Sequence, residues 1–355
     1  MQASRATAAA ASAPPGVAPD QGGFDRFLLE VPLLAGLDAA GLAEVQRLLR
    51  PFDVQAGGVL FRQGDASDGL YLIKEGEIAI MRRVPGDETV RLAVLGRCAI
   101  IGEMGLLDHG VRSASAVAVT ASTGYFVSRE RFEMMRADMR PPAFAVMDRF
   151  ITQVAARTRK AIELAAAHLA PGCAATAAAT AVSVAWTRCS SPATLDQRLL
   201  LALPFFGSLG SGELRELMGQ VKRHDFARGD LVWPAGAAAS HCLIVVRGAL
   251  ATYFSTPPRP QLFSVHGPGS FAGELPLLDG GPHPLIALAR EPTIALSLDR
   301  ERFEVLRKGG GELAFTLFAA LGSAVAGNLR RADGHLARVM PQQQRGDVLL
   351  APVKS

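Results

Sequence analysis

Short apolar runs alternate with turn-forming residues through the first third of the chain. Six runs of three to six residues are separated by Gly64-Asp65, Glu75-Gly76 and Pro85-Gly86-Asp87, where the chain must reverse. The runs are Val59–Phe61, Leu70–Ile73, Ile78–Met81, Val90–Leu95, Ala116–Val119 and Tyr125–Val127. Many short strands at this spacing favour a sandwich or barrel over a parallel sheet.

Longer periodic segments flank these runs. One helix is predicted before them, over Asp38–Leu49, and a longer one after them, over Pro142–Ala167, with Phe150, Val154 and Ala161 on one face. The predicted fold class is mainly β with flanking helices (α+β), a β-roll with a helix at each end.

The chain contains the same sequence pattern twice. Residues 129–133 read RERFE and recur at 300–304, and the pair Gly102-Glu103 recurs as Gly273-Glu274. The offset is about 171 residues at each anchor, so the chain contains two copies of one domain. We predict a disordered Ala/Pro-rich tail over 1–23, a first copy over 24–169, a linker over 170–192, a second copy over 193–339 and a C-terminal tail over 340–355.

Composition narrows the class of protein. The 355 residues are 49% hydrophobic with mean hydropathy +0.21, yet no uninterrupted apolar stretch approaches the roughly 18–20 residues of a membrane span. The four cysteines lie far apart, which favours a reducing compartment. The net charge of +4 permits anion binding without indicating nucleic acid. A cytoplasmic protein without a membrane span is expected.

Candidate chemistry lies in the first copy. Glu103 is followed nine residues later by Arg112, with Gly102 before the pair and Ser113 after it. Arginine presents a rigid donor fork that pairs with phosphate, and a carboxylate can accept from a hydroxyl. The pattern suits a ligand that carries both an anion and a hydroxyl. A surface ion pair is the alternative explanation.

These residues, set in the glycine framework Gly57, Gly64 and Gly76, make the first copy resemble the cyclic nucleotide-binding domain family, and the second copy shares much of the framework. The resemblance implies two eight-stranded jelly rolls and a cyclic AMP or cyclic GMP ligand, with no separate cofactor. It implies that Glu103 binds the ribose 2′-hydroxyl, that Arg112 binds the cyclic phosphate and that Gly102 permits close backbone approach. Ser113 would donate its N–H to the phosphate or purine, and its hydroxyl is a further candidate donor. Met104 belongs to the same ligand-binding segment.

The second copy departs from the pattern at the phosphate position. It keeps Gly273 and Glu274, but His283 stands nine residues after Glu274 and is followed by Pro284, which has no N–H to donate. A neutral imidazole does not supply the fixed charge of arginine. We predict a degenerate, non-binding second site. The alternatives are a site for a different anion and a site that binds only when His283 is protonated.

The output of such a sensor is not evident in the sequence. Bacterial regulators of the catabolite-activator type place a helix-turn-helix after this domain, whereas sixteen residues follow Val339 here, so no DNA-binding domain is expected. The basic run Asn328–Arg338 is interpreted as the solvated face of the last helix. Neither hydrolase nor nucleotide-phosphate motifs occur, and the seven histidines are not spaced for a metal, so an enzyme is not expected.

The sequence thus predicts a regulatory protein that senses a cyclic nucleotide in its first copy and passes the signal to an unidentified protein effector. A homodimer through the helices after the rolls is compatible with this prediction. The alternatives are a ligand-free scaffold of two rolls and a relative of transcription regulators that has lost DNA binding.

Overall fold

The computed structural model describes residues 26–83, 89–138, 141–169, 189–190, 192, 195–256 and 259–339. The predicted tails 1–23 and 340–355 lie outside these residues, as does most of the predicted linker. Within the linker, the two residues Cys189–Ser190 pair as a short strand with the second copy.

The first copy begins with two short 3₁₀-helices, Arg26–Glu30 and Pro32–Leu34. Its α-helices are α1 (Ala39–Leu48), α2 (Glu103–Asp108), α3 (Arg129–Ala137) and α4 (Pro141–Leu169). Its strands are β1 (Leu49–Val54), β2 (Val59–Phe61), β3 (Gly69–Glu75), β4 (Ile78–Arg83), β5 (Thr89–Leu95), β6 (Ile100–Ile101), β7 (Ser115–Ala118) and β8 (Ser122–Ser128).

The second copy repeats this order. Its helices are α5 (Gln197–Leu201), α6 (Pro204–Gly207), α7 (Ser211–Gln220), α8 (Glu274–Asp279), α9 (Arg300–Gly309) and α10 (Glu312–Val339). Its strands are β9 (Cys189–Ser190), β10 (Val221–Phe226), β11 (Leu231–Trp233), β12 (His241–Arg247), β13 (Leu250–Phe254), β14 (Gln261–His266), β15 (Phe271–Ala272), β16 (Ile286–Ala289) and β17 (Thr293–Asp299).

Each copy contains two antiparallel sheets that form a jelly roll. In the first copy the strand orders are β1-β8-β3-β6 and β2-β7-β4-β5. The second copy has the orders β10-β17-β12-β15 and β11-β16-β13-β14, with β9 added beside β10. A register shift between Ile73 and Glu75 on β3 recurs between Val245 and Arg247 on β12, so the repeat extends to irregularities of the strands. The predicted fold class is confirmed.

The structure confirms the six predicted strands and adds elements that the pattern did not reveal. Strand β1 begins at Leu49, where the sequence predicted the end of a helix. Asp38 is the N-cap of α1, so the helix begins one residue later than predicted, at Ala39, and it ends at Leu48. The segment after Gly102, to which the sequence analysis assigned no secondary structure, begins with the short helix α2. The repeated RERFE segments begin the helices α3 and α9.

The two long helices form the centre of the molecule. The predicted face of α4 is confirmed, since Phe150, Val154 and Ala161 are buried. It packs along α10, where Phe144 meets Phe315 and Phe318 with ring centroids 5.1 and 5.0 Å apart. The main apolar core therefore includes residues of both copies. The apolar faces of the helices after the rolls, which the sequence analysis considered for a homodimer, pack against each other within one chain.

Helix α10 is also long and apolar enough, by length and composition alone, to cross a membrane. Its most apolar window has a mean hydropathy of 1.4, and 61% of that window is buried inside the structure. Leu317, Leu321 and Val325 follow one another at helical spacing and are fully buried, which is the pattern of a core helix.

Candidate functional site

Gly102 links β6 to α2 at the edge of the first roll. It adopts a left-handed backbone conformation with φ of 88°, which glycine reaches at little cost. A Cβ atom at this position would lie 2.0 Å from Nη1 of Arg112, far inside contact distance. The predicted close approach is therefore made to the arginine of the same site.

Arg112 is the central cation of this site. Its side chain is buried, with the residue 3% exposed, and it donates from Nη1 to the Gly102 carbonyl at 3.1 Å and from Nη2 to Asp68 Oδ1 at 2.5 Å. The guanidinium lies over the ring of Phe61, 4.0 Å from its centroid. Its buried Nε has no hydrogen-bond partner in the part of the chain that the structure describes. The charge is thus fixed in position with one donor unused.

Glu103 is the matching carboxylate. It is 5% exposed at the start of α2 and accepts a hydrogen bond from Nη1 of Arg157 on α4. The helix after the roll therefore contacts the candidate hydroxyl-binding group directly. Any ligand that hydrogen-bonds to Glu103 must share or replace this contact.

The five residues predicted for the first site lie around one cleft that opens to solvent. Apolar side chains of β4 and β5, including Ile80 and Leu92, form one wall. Charged groups of the two long helices lie around the same cleft. They are Arg157 of α4 and Arg330 and Asp333 of α10. The predicted residues that line it are Gly102, Glu103, Met104, Arg112 and Ser113.

Sequence reasoning missed the groups that complete this site. Asp68 lies 44 residues before Arg112, and Arg157 lies 54 residues after Glu103, so no local motif joins them. The interpretation of Arg330 as solvated was wrong. Its guanidinium donates to both carboxylate oxygens of Asp108 and, at 2.7 Å, to the Val111 carbonyl, because α10 lies against the first copy.

The second cleft is smaller than the first and has a histidine in the place of Arg112. It is lined by Gly273, Glu274 and His283, among other residues. His283 is buried and stacks on Trp233, with ring centroids 4.3 Å apart and planes 11° apart. Burial, with added repulsion from His241 and Arg159, lowers the pKa of His283 to about 3. The imidazole is therefore neutral at physiological pH.

The changes around His283 extend to its neighbours. The backbone pairing is retained, since Gly236 N–H donates to the His283 carbonyl at 2.8 Å as Gly64 N–H does to Arg112 at 2.9 Å. Ser240, however, stands at the repeat position of Asp68. Glu274 is fully buried, accepts from the Asn328 amide, and has its pKa raised by burial. The site has lost both the cation and its carboxylate partner.

No cluster of three or more His, Cys, Asp or Glu side chains suited to a metal ion occurs among the residues described. The chemistry that the first cleft offers is recognition: a fixed guanidinium, a buried carboxylate and a close backbone approach within one cleft. These groups suit a ligand with an anionic and a hydroxyl part.

The chain is similar in sequence to proteins whose names refer to cyclic AMP. A cyclic AMP-activated global transcriptional regulator of Mycobacterium tuberculosis, described as CRP-like, is 28% identical over 115 residues, which are 32% of this chain and 51% of that protein. The regulatory subunit of the cAMP-dependent protein kinase of Dictyostelium discoideum is 30% identical over 32% of this chain and 35% of its own length. The chain thus spans about half or less of these relatives.

Among solved structures, the regulatory domain of Toxoplasma gondii PKA with cAMP is 19% identical over 83% of this chain and 93% of that one, with a TM-score of 0.30. The model of the cyclic nucleotide-binding domain family matches twice, over residues 51–138 and 223–308. The chain therefore carries two domains of the cyclic nucleotide-binding family, one in each copy.

Proposed function

We propose that this protein is a cytoplasmic regulatory protein that binds one cyclic nucleotide, cyclic AMP or cyclic GMP, in its first copy and transmits the binding event to a protein effector. The observation that carries the proposal is the buried Arg112, held by Asp68 and Gly102 beside Glu103 in an open cleft. A buried cation with an unused donor is suited to a phosphate. Relatives whose names describe a cAMP-activated regulator and a cAMP-dependent kinase subunit support this ligand class.

In this proposal the residues take the roles that the family resemblance implies. Arg112 binds the cyclic phosphate, Glu103 accepts from the ribose 2′-hydroxyl, and Gly102, Met104 and Ser113 complete the segment that faces the ligand. Because Glu103 is bonded to Arg157 of α4, occupation of the cleft alters the contact between the roll and its following helix. A ligand shifts this equilibrium by its different affinity for the two helix placements.

The second copy, in this proposal, does not bind a nucleotide. His283 is neutral and covered by Trp233, Pro284 has no N–H, and the repeat position of Asp68 is Ser240. The low pKa of His283 argues against a site that becomes competent on mild acidification. No catalytic role is assigned to either cleft.

Isothermal titration of the full chain with cyclic AMP and with cyclic GMP tests the proposal. We expect saturation at one site per chain, lost in Arg112→Gln and unchanged in His283→Gln. Since Arg112 is buried, circular dichroism and melting temperature establish that the variant is folded, and Ser113→Ala provides a milder variant with weakened binding. Absence of binding by the wild-type chain would instead support the scaffold of two rolls, in which Asp68 and Arg157 permanently satisfy the two charges.

A further inference from the structure

A larger cavity lies between the two copies and shares no lining residue with the first cleft. Its volume is about 950 Å³, and it opens to solvent. Helices α2, α3 and α4 of the first copy form one side, and α6, α10 and the turn from β14 to β15 form the other. We call it the inter-copy groove. Binding sites for small organic ligands have volumes of roughly 300–1,000 Å³, so the groove is large enough for one.

The groove exists because α10 carries small side chains where α4 carries long ones. With the repeat offset of 171 residues, Ala320 and Ala324 of α10 correspond to Arg149 and Gln153 of α4. The two alanines line the groove. On the equivalent face of α4, the Gln153 amide reaches across and donates to the Pro32 carbonyl at 3.0 Å. The long helix of the first copy thus fills with its own side chains a space that α10 leaves open.

The repeat also shows which charge the groove lacks. Arg307 of α9 binds a glutamate of its own helix and, from Nε at 3.0 Å, the carboxylate of Asp148 on α4. Arg136 of α3 stands at the same repeat position and also binds a glutamate of its own helix. The α10 residue that corresponds to Asp148 is Ala319, which lines the groove. Arg136 therefore lacks the second carboxylate that its counterpart has.

Positive charge and apolar surface are both available to a ligand in this groove. The Arg136 side chain is 37% exposed, and Arg331 of α10, also at the groove, forms no ion pair with a residue that the structure describes. The acidic side chain at the groove is Glu133, the partner of Arg136. The remaining surface includes buried apolar side chains of both copies: Met147, Ile151, Phe205, Phe271 and Phe315.

We propose that the inter-copy groove binds a fatty acid, an unbranched alkyl chain that ends in a carboxylate. Relative to α4, the groove lacks one carboxylate and the alkyl stems of two long side chains, and a fatty acid supplies both. The ligand carboxylate pairs with Arg136 as Asp148 pairs with Arg307, in the two-pronged geometry that arginine offers. The alkyl chain lies over Ala320 and Ala324, where burial of its methylene groups supplies the hydrophobic part of the affinity.

Titration of the full chain with decanoate at pH 7.5, below its micelle concentration, tests the proposal. The carboxylate is ionised at this pH. We expect saturation at one decanoate per chain. Acetate has the carboxylate without the chain, and decylamine has the chain with a positive head group, so neither should saturate the site. Binding of decylamine with a Kd similar to that of decanoate would overturn the role of charge.

Two substitutions rebuild on α10 what α4 already has. Ala319→Asp gives Arg136 an internal carboxylate, and Ala320→Leu places an alkyl group in the groove. Each should weaken decanoate binding about tenfold or more, the effect of one charged hydrogen bond, without lowering the Tm. Lys160→Gln is the matched control, because it removes a positive charge from α4 at the repeat position of Arg331 and outside the groove. Its decanoate Kd should equal that of wild type.

The outcomes separate this proposal from the proposed function. Absence of saturable decanoate binding by the wild-type chain, or equal binding by wild type and both groove variants, would overturn the fatty-acid site. If either variant lowers the Tm, Arg136→Gln decides, since its side chain is partly exposed and its loss should weaken binding by a similar factor. Cyclic nucleotide binding, titrated in the same samples, should be retained in the groove variants, and its absence would count against the proposed function alone.

Discussion

The contacts between α10 and the first copy are expected to stabilise the whole chain, and Arg330→Met tests this most directly. The substitution keeps an apolar stem but removes three hydrogen bonds, two to Asp108 and one to Val111. Breaking a fully buried ion pair costs about 3–5 kcal/mol. Here the Arg330 and Asp108 side chains are 22% and 12% exposed, so water partly compensates the unpaired carboxylate.

Asp108 also keeps the hydrogen bond from the Gly110 N–H at 2.9 Å, which lowers the cost further. We therefore expect a loss of about 2 kcal/mol in the free energy of unfolding. The equivalent pair on the other side, Arg159–Asp279, is more buried, with side chains 14% and 7% exposed. Its loss should cost more, by up to about 1 kcal/mol.

Scanning calorimetry of Arg330→Met, Asp108→Asn and the double variant measures this coupling as a double-mutant cycle. At roughly 1.3 °C per kcal/mol for a chain of 355 residues, the single variant should lower the Tm by about 3 °C. The double variant should lose less than the sum of the single variants. A shift below 1 °C, or strict additivity, would show that α10 is held by apolar packing alone and would refute the reasoning.

Two further predictions concern the site and the pH dependence. Gly102→Ala introduces a Cβ 2.0 Å from Arg112 and a left-handed alanine, so nucleotide affinity and the free energy of unfolding should both fall, the latter by about 1–2 kcal/mol, as measured by titration and by calorimetry. Burial lowers the pKa of His241 and His266 to about 4 and that of His283 to about 3. Because these pKa values lie below that of an unfolded histidine near 6.5, the stability is present above pH 6.5 and declines as the pH falls below it. Melting curves at pH 7.5 and 5.0 check this, and His283→Gln should reduce the decline; an equal Tm at both pH values would contradict it.

The sequence predicted the residues of the first cleft that lie close together along the chain. Gly102, Glu103 and Arg112 lie within eleven residues, and their spacing together with the family resemblance predicted one site; the structure has all three at one cleft. Comparison of the two copies showed that His283 stands at the repeat position of Arg112, which predicted the loss of positive charge in the second cleft. The first prediction depends on the spacing of nearby residues and the second on the alignment of the two copies, and both can be read from a single sequence.

The sequence did not predict the contacts between the two copies. Helical spacing shows which residues of α10 share a face, but it does not show whether that face meets water or another domain. Arg330 was therefore interpreted as solvated, although its partner Asp108 lies 222 residues earlier. Asp68 and Arg157 were missed for the same reason, because each reaches the site from a separate element of the fold.

The long helix of each copy lines the cleft of the other copy, with Asp333 of α10 at the first cleft and Ile162 of α4 at the second. This arrangement has a further consequence for how the molecule could diverge. In an assembly of two identical chains, any change in the covering residue would alter both clefts at once. Here the two covering positions are encoded separately, which allows Asp333 on one side and Ile162 on the other. The covalent link also makes the contacts between the halves intramolecular, so the cover of the first cleft does not dissociate on dilution. The linings of the two clefts can therefore change independently of each other.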